Sequence, residues 1–200
     1  MRELLYPAVQ PPARSGDEPL RDSRGGEVTR LADFWRWAHS DLLTNTERGI
    51  LAEYIVACAL DVHGGTRIAW DRYDLVTKEG FTVEVKTSGY LQSWGQKAAS
   101  KLVFGIRPTL GWDSTTNVYG TTRARRADIY VFCVYKHREQ ETADPLDLRQ
   151  WDFYLLPTRI LNEKVGMQKS ISLSSLLKIG ATYSTYTEMH GKLLACMHGL

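Results

Sequence analysis

The stretch FTVEVKT, Phe81 to Thr87, carries an acid and a base two residues apart, Glu84 and Lys86. In a strand, residues two apart share a face, so Val83 and Val85 can point to a core while Glu84 and Lys86 share the other side. Read alone, E-x-K is an ordinary ion pair on a half-exposed strand. Its neighbours make it more than that. Lys78-Glu79-Gly80 separates this strand from a second strand candidate, Arg72 to Thr77. A three-residue hairpin loop with glycine in the left-handed position sets Thr77 opposite Phe81. Asp74 then stands opposite Glu84, and Arg72 opposite Lys86, while Asp71 points to the other face. Carboxylates directly opposed across a hairpin repel, and one remedy is a shared cation.

A further acid lies upstream. GILAEYIVACAL, Gly49 to Leu60, holds one charge, Glu53, whose neighbours three and four residues away are Gly49, Ile50, Val56 and Ala57. Little there solvates a carboxylate, unless Glu53 occupies a narrow exposed stripe. Glu53, Asp74 and Glu84 together offer three oxygen ligands, which with water suit Mg²⁺ or Mn²⁺.

The order helix acid, hairpin Asp, then E-x-K resembles the core pattern of the PD-(D/E)XK nuclease superfamily, carried by Glu53, Asp74 and Glu84-Val85-Lys86. The likeness covers Thr44 to Thr87 and, more loosely, Asp128 to Tyr135. Tyr73 stands where the family name has proline, a position that ligates no metal. The resemblance implies a restriction-endonuclease-like α/β fold, a mixed central β-sheet flanked by α-helices, and Mg²⁺- or Mn²⁺-dependent cleavage of DNA, by an endonuclease rather than an exonuclease. It implies that Asp74 and Glu84 bind metal with the Val85 carbonyl. Glu53 completes the site directly or through water, and Lys86 positions or helps deprotonate the attacking water. A non-catalytic DNA-binding or assembly module on the same scaffold is the alternative. A homodimer suits an enzyme that cuts two strands.

These residues need a scaffold. Thr44-Asn45-Thr46-Glu47 offers a capping box for a helix running to about Leu60, stopped by Gly64-Gly65. Leu31, Phe34, Trp35 and Ala38 recur at helical spacing over Val28 to Ser40. Strand candidates are Arg67 to Trp70, Arg72 to Thr77, Phe81 to Thr87, Lys101 to Ile106, Asp128 to Tyr135 and Trp151 to Leu156. Short helices are expected over Pro157 to Val165 and Ser172 to Ile179, the latter capped by Ser172 or Ser174. Residues 1–27, rich in proline, glycine and charge, read as a flexible lead-in to a single domain over 28–200.

Phosphate contacts require cations but no base specificity. Lys97, Lys101, Arg107, Arg123, Arg125 and Arg126 are candidates, the last four in or beside a long connection from Arg107 to Ala127. Thr87, Ser88, Gln92 and Gln96 follow the E-x-K strand and can touch substrate or serve the loop. Tyr90 and Trp94 can stack on a base or pack on the sheet.

Of the 200 residues, 43% are hydrophobic and 24% charged, with a net charge of +2, ordinary for a globular protein. That balance neither requires nor excludes nucleic acid. No apolar run reaches membrane-span length and the N-terminus lacks a signal-like apolar region, so a cytoplasmic protein is expected. Cys58, Cys133 and Cys196 show no CxxC spacing and read as reduced thiols. No Gly-rich nucleotide loop is present.

Overall fold

The computed structural model describes residues 5–9, 11–67, 72–113 and 116–199. In chain order the elements are β1 (Pro19–Arg21), β2 (Glu27–Arg30), α1 (Leu31–His39), α2 (Asn45–Ala59), β3 (Leu75–Val76), β4 (Thr82–Gly89), β5 (Val103–Gly105), β6 (Trp112–Asp113) and β7 (Val118–Tyr119). They continue as β8 (Ile129–Tyr135), β9 (Trp151–Pro157), α3 (Thr158–Val165), β10 (Ser170–Ser172), α4 (Leu173–Lys178), β11 (Thr182–Ser184) and α5 (Met189–His198). Five strands form the central sheet in the order β11-β9-β8-β4-β3. The β4–β8 pair is parallel and the other three pairings are antiparallel, so the sheet is mixed, as expected.

All seven residues of β8 are buried. Such a strand must be covered on both faces, and its alternation shows how. Ile129, Val131, Cys133 and Tyr135 join Val83 and Val85 in a core with Ala52, Ile55 and Val56 of α2 and with Leu193 of α5. Tyr130, Phe132 and Val134 join a second core with Phe104, Leu161 of α3 and Leu176 of α4. Burial of such side chains, roughly 1.5–3 kcal/mol each, is what fixes the register of β4 against β8.

The start of α2 is capped by Thr44, whose side chain accepts the Glu47 amide at 3.2 Å. Glu47 does not close the box. Its carboxylate takes His39 Nδ1 at 3.0 Å instead, joining α2 to the preceding helix. Arg48 is buried without a carboxylate partner. Its guanidinium donates to the carbonyls of Leu43 and Leu91 at 2.9 and 3.1 Å, tying α2 to the chain after β4. Gly89 makes room for it: a Cβ there would lie 3.2 Å from both Arg48 Cζ and Tyr135 Cβ.

Helix α2 stops before Gly64-Gly65. Asp61 takes φ +54°, and the Val62 and Asp61 amides bond back to the carbonyls of Ala57 and Cys58 at 2.9 and 3.1 Å. This is a Schellman ending with aspartate in the left-handed position.

Other boundaries differ from expectation. The helix expected from Val28 begins at Leu31, because Glu27–Arg30 pairs with Pro19–Arg21 inside the stretch read as a lead-in. The strand expected over Arg72 to Thr77 contracts to Leu75–Val76, and Arg67 to Trp70 falls largely outside the described residues. The long connection carries the small β6–β7 hairpin and a Thr109–Ala124 bridge. Helix α5 had no counterpart in the sequence reading. Among the described residues, no helix is long and apolar enough to cross a membrane.

Candidate active site

The hairpin has the register counted from its loop. Leu75 pairs with Val83 and Val76 with Thr82; Asp74 precedes the paired residues, and its amide bonds the Val83 carbonyl at 3.0 Å. The Thr77 amide bonds the Phe81 carbonyl at 2.9 Å, the Gly80 amide bonds the Thr77 carbonyl at 3.0 Å, and Gly80 has φ +90°. A non-glycine residue would be strained there.

Glu84 and Lys86 alternate with the buried Val83 and Val85, as the period of two requires. Lys86 Nζ donates to Glu84 Oε1, and both side chains keep partial exposure. Asp74 lies at the sheet margin, where its Oδ2 accepts the Val85 amide at 2.7 Å. Burial, then the charge of Glu84, pushes the Asp74 carboxyl up to about 7, against the opposing pull of Lys86 and the Val85 amide. Burial works against a charged Lys86, yet Glu84, Asp74 and Glu53 outweigh it and raise the lysine pKa. Lys86 is therefore an ammonium at neutral pH, and Asp74 is the group poised between charge states.

Glu53 projects from α2, which covers the other face of the sheet. Its side chain is 17% exposed and held bidentately by Arg67, with Nη2 to Oε1 at 2.9 Å and Nε to Oε2. Those bonds raise the Arg67 pKa, and Asp74 adds to the effect. Sequence reasoning gave Arg67 only a place in a strand. The signal it missed is an arginine in the first ordered stretch after a helix whose sole mid-length charge is an acid.

Among the described residues, no three of His, Cys, Asp and Glu are close enough together to hold a metal ion. Asp74 and Glu84 fit a hard divalent cation by donor chemistry, and burial, with the charge of Glu84 added to it, is what raises the Asp74 pKa. The charge of Glu53 reaches Asp74 and Lys86, but its carboxylate is engaged by Arg67.

The other named residues divide. Lys97, Lys101, Arg107 and Arg123 are exposed. Arg126 is exposed but donates to the carbonyls of Leu110 and Thr122 at 3.1 and 2.7 Å. Arg125 is buried, and its guanidinium serves Ile106, Gly166 and Gln168 carbonyls and Asn162 Oδ1 at 2.7 to 3.1 Å. It holds the connection together, with four of its five N–H donors spent on protein acceptors. Gln92 and Gln96 bond within their own loop, Gln92 amide to Gln96 Oε1 at 2.8 Å. Ser88 Oγ accepts the Val103 amide at 3.3 Å, and Thr87 Oγ1 is buried with no protein partner. The Tyr90 ring is covered by Arg138, whose Cζ lies 3.8 Å from its centroid, whereas Trp94 is 52% exposed.

No curated protein matches the chain. The family model described as bacteriophage T4 endonuclease IV matches residues 30–175, a span holding every one of these side chains, and the chain belongs to that endonuclease family.

Proposed function

We propose that the protein is a metal-dependent nuclease of the PD-(D/E)XK type that hydrolyses phosphodiester bonds in DNA. The observation that carries this reading is the Asp74 carboxylate set against the Glu84–Lys86 strand, where it accepts the Val85 amide at 2.7 Å and feels the charges of Glu84 and Lys86. The match to an endonuclease family supports nuclease activity independently. Asp74 and Glu84 would hold Mg²⁺ or Mn²⁺, with the Val85 carbonyl as a further oxygen, and Glu53 joins them when Arg67 lets it go. Such an ion supplies a Lewis acid and lowers the pKa of its water.

The protein's own groups do the rest. Lys86, kept charged by its acidic neighbours, offsets negative charge developing on the phosphate and orients the attacking water by donating to it. As an ammonium it has no free pair with which to take a proton. Lys97, Lys101, Arg107 and Arg123, all exposed, are the cations proposed to track the DNA backbone.

Plasmid, single-stranded and branched DNA incubated with Mg²⁺ or Mn²⁺ test the reading. Cutting by wild type and none by Glu84→Ala at matched purity is the expected result. Equal cutting by both would overturn the site assignment.

A further inference from the structure

A cleft of about 440 Å³ opens beside the carboxylates, between α2 and the segment leading into β3. Its size lies within the roughly 300–1,000 Å³ of small-ligand clefts. Tyr54, His63 and Tyr73 supply aromatic wall, Val62 and Leu75 apolar floor, and Glu53 and Asp74 belong to it as well. Tyr54 is 57% exposed, an unusual place for a tyrosine in the middle of a packed helix. Its ring meets that of His63 at 87°, with centroids 6.4 Å apart. A perpendicular pair uses the edge of one ring and leaves that ring's faces to other partners.

We propose that this cleft is the subsite for one nucleobase of the strand being cut, stacked on the Tyr54 ring beside the scissile phosphate. The inference rests on the nuclease reading and adds the ligand of the cleft that continues from Glu53 and Asp74. Continuity selects the occupant. A phosphodiester held at Asp74 and Glu84 carries a nucleoside on either side, and the cleft begins at Asp74. A phosphate is a poor occupant, because two acids, Glu53 and Asp74, line the cleft beside Arg67. A flat base with two apolar faces and polar edges matches aromatic walls and a rim formed by Gly64-Gly65-Thr66.

Two measurements test it. In the first, oligodeoxynucleotides with one abasic residue at successive positions around the cut bond are cleaved by wild type, Tyr54→Phe and Tyr54→Ala. Wild type should lose roughly 5- to 100-fold in kcat/KM for an abasic residue at one position. Tyr54→Ala should lose as much on the intact strand and nothing further on that abasic strand, while Tyr54→Phe stays near wild type. Losses that multiply, or an abasic scan without effect, would overturn the subsite. In the second, metal-free Glu84→Gln protein is titrated into oligonucleotides carrying 2-aminopurine. Quenching at one position, abolished by adding Tyr54→Ala, is expected. Quenching that survives Tyr54→Ala, or appears at no position, would overturn the proposal. This second measurement needs no cleavage, so a failed nuclease reading and a failed base subsite give different results.

Discussion

The Asp74 carboxylate accepts the Val85 amide at 2.7 Å, which sets it beside Glu84 on the strand that the Gly80 turn brings back. Two carboxylates are thus pressed together by backbone geometry rather than by attraction. Such an arrangement persists only if something offsets the repulsion, and the described residues supply Lys86, Arg67 and a raised Asp74 pKa.

Glu84→Ala and Asp74→Asn should each abolish DNA cleavage while leaving metal-free stability unchanged or higher, since either removes one of two like charges. Lys86→Ala should lower kcat roughly 100- to 1,000-fold, the range for removing one preorganised charge donor. Cleavage kinetics paired with thermal unfolding in a chelator check all three. A large loss of metal-free stability in both acid variants would assign these residues to structure.

Metal-free stability should fall as pH rises through the window set by Asp74. Its ordinary value of 3.8 is raised to about 7 in the fold, so between these values the native state binds the proton that the unfolded chain releases. Stability from this group is full below about pH 4 and lost by about pH 7. At about 1.4 kcal/mol per unit, the loss is of the order of 2–4 kcal/mol. Urea unfolding from pH 4 to 8 should show this slope in wild type and not in Asp74→Asn. The same slope in both would place the titration elsewhere.

Arg67→Ala should bind Mn²⁺ more tightly than wild type. Removing the guanidinium frees Glu53 to turn toward the other acids. A half-exposed pair of this kind contributes under about 1 kcal/mol, so the gain is about two- to fivefold in affinity by titration calorimetry. Unchanged affinity would show that Glu53 takes no part in the metal site.

Two neighbouring arginines should behave as opposites. Arg125→Ala leaves several buried carbonyls without a donor and should cost about 2–4 kcal/mol in chemical unfolding. Arg123→Ala should leave stability alone and lower the slope of log binding constant against log salt for DNA by about one. A salt slope altered by Arg125→Ala in fully folded protein would reverse these roles.

What was legible in the sequence was mostly local. Gly80 in a three-residue loop dictates a left-handed residue, and with it the pairing of Leu75 with Val83 and Val76 with Thr82, because strand parity propagates by counting; the regular pairing stops short of Asp74, whose amide turns to the Val83 carbonyl. The valine alternation likewise placed Glu84 and Lys86. The engagement of Glu53 by Arg67 was not legible, since it depends on how the chain returns over α2 after the turn at Asp61. Nor was the burial of Arg125: its partners Asn162, Gly166 and Gln168 lie about 40 residues away, and only tertiary packing brings them to it. The helix end near Leu60 was legible, but the residue that makes it was not. Gly64-Gly65 is the stronger signal by composition, but Asp61 adopts the left-handed conformation first and the backbone bonds of Val62 complete the ending.

The sheet order gives the two halves of the site unequal tenure. Glu84 and Lys86 ride on β4, zipped in parallel to the wholly buried β8, so their amides should exchange with solvent only when the whole molecule unfolds. Asp74 hangs from a two-residue strand at the edge, through its own amide to Val83 and its carboxylate to Val85. That margin can breathe open and close again while the interior stays sealed. The protein can therefore dismantle and rebuild half of its reactive centre at little cost, and a divalent ion gripping both strands would act as a clasp, seen as slowed exchange at the Asp74 amide alone.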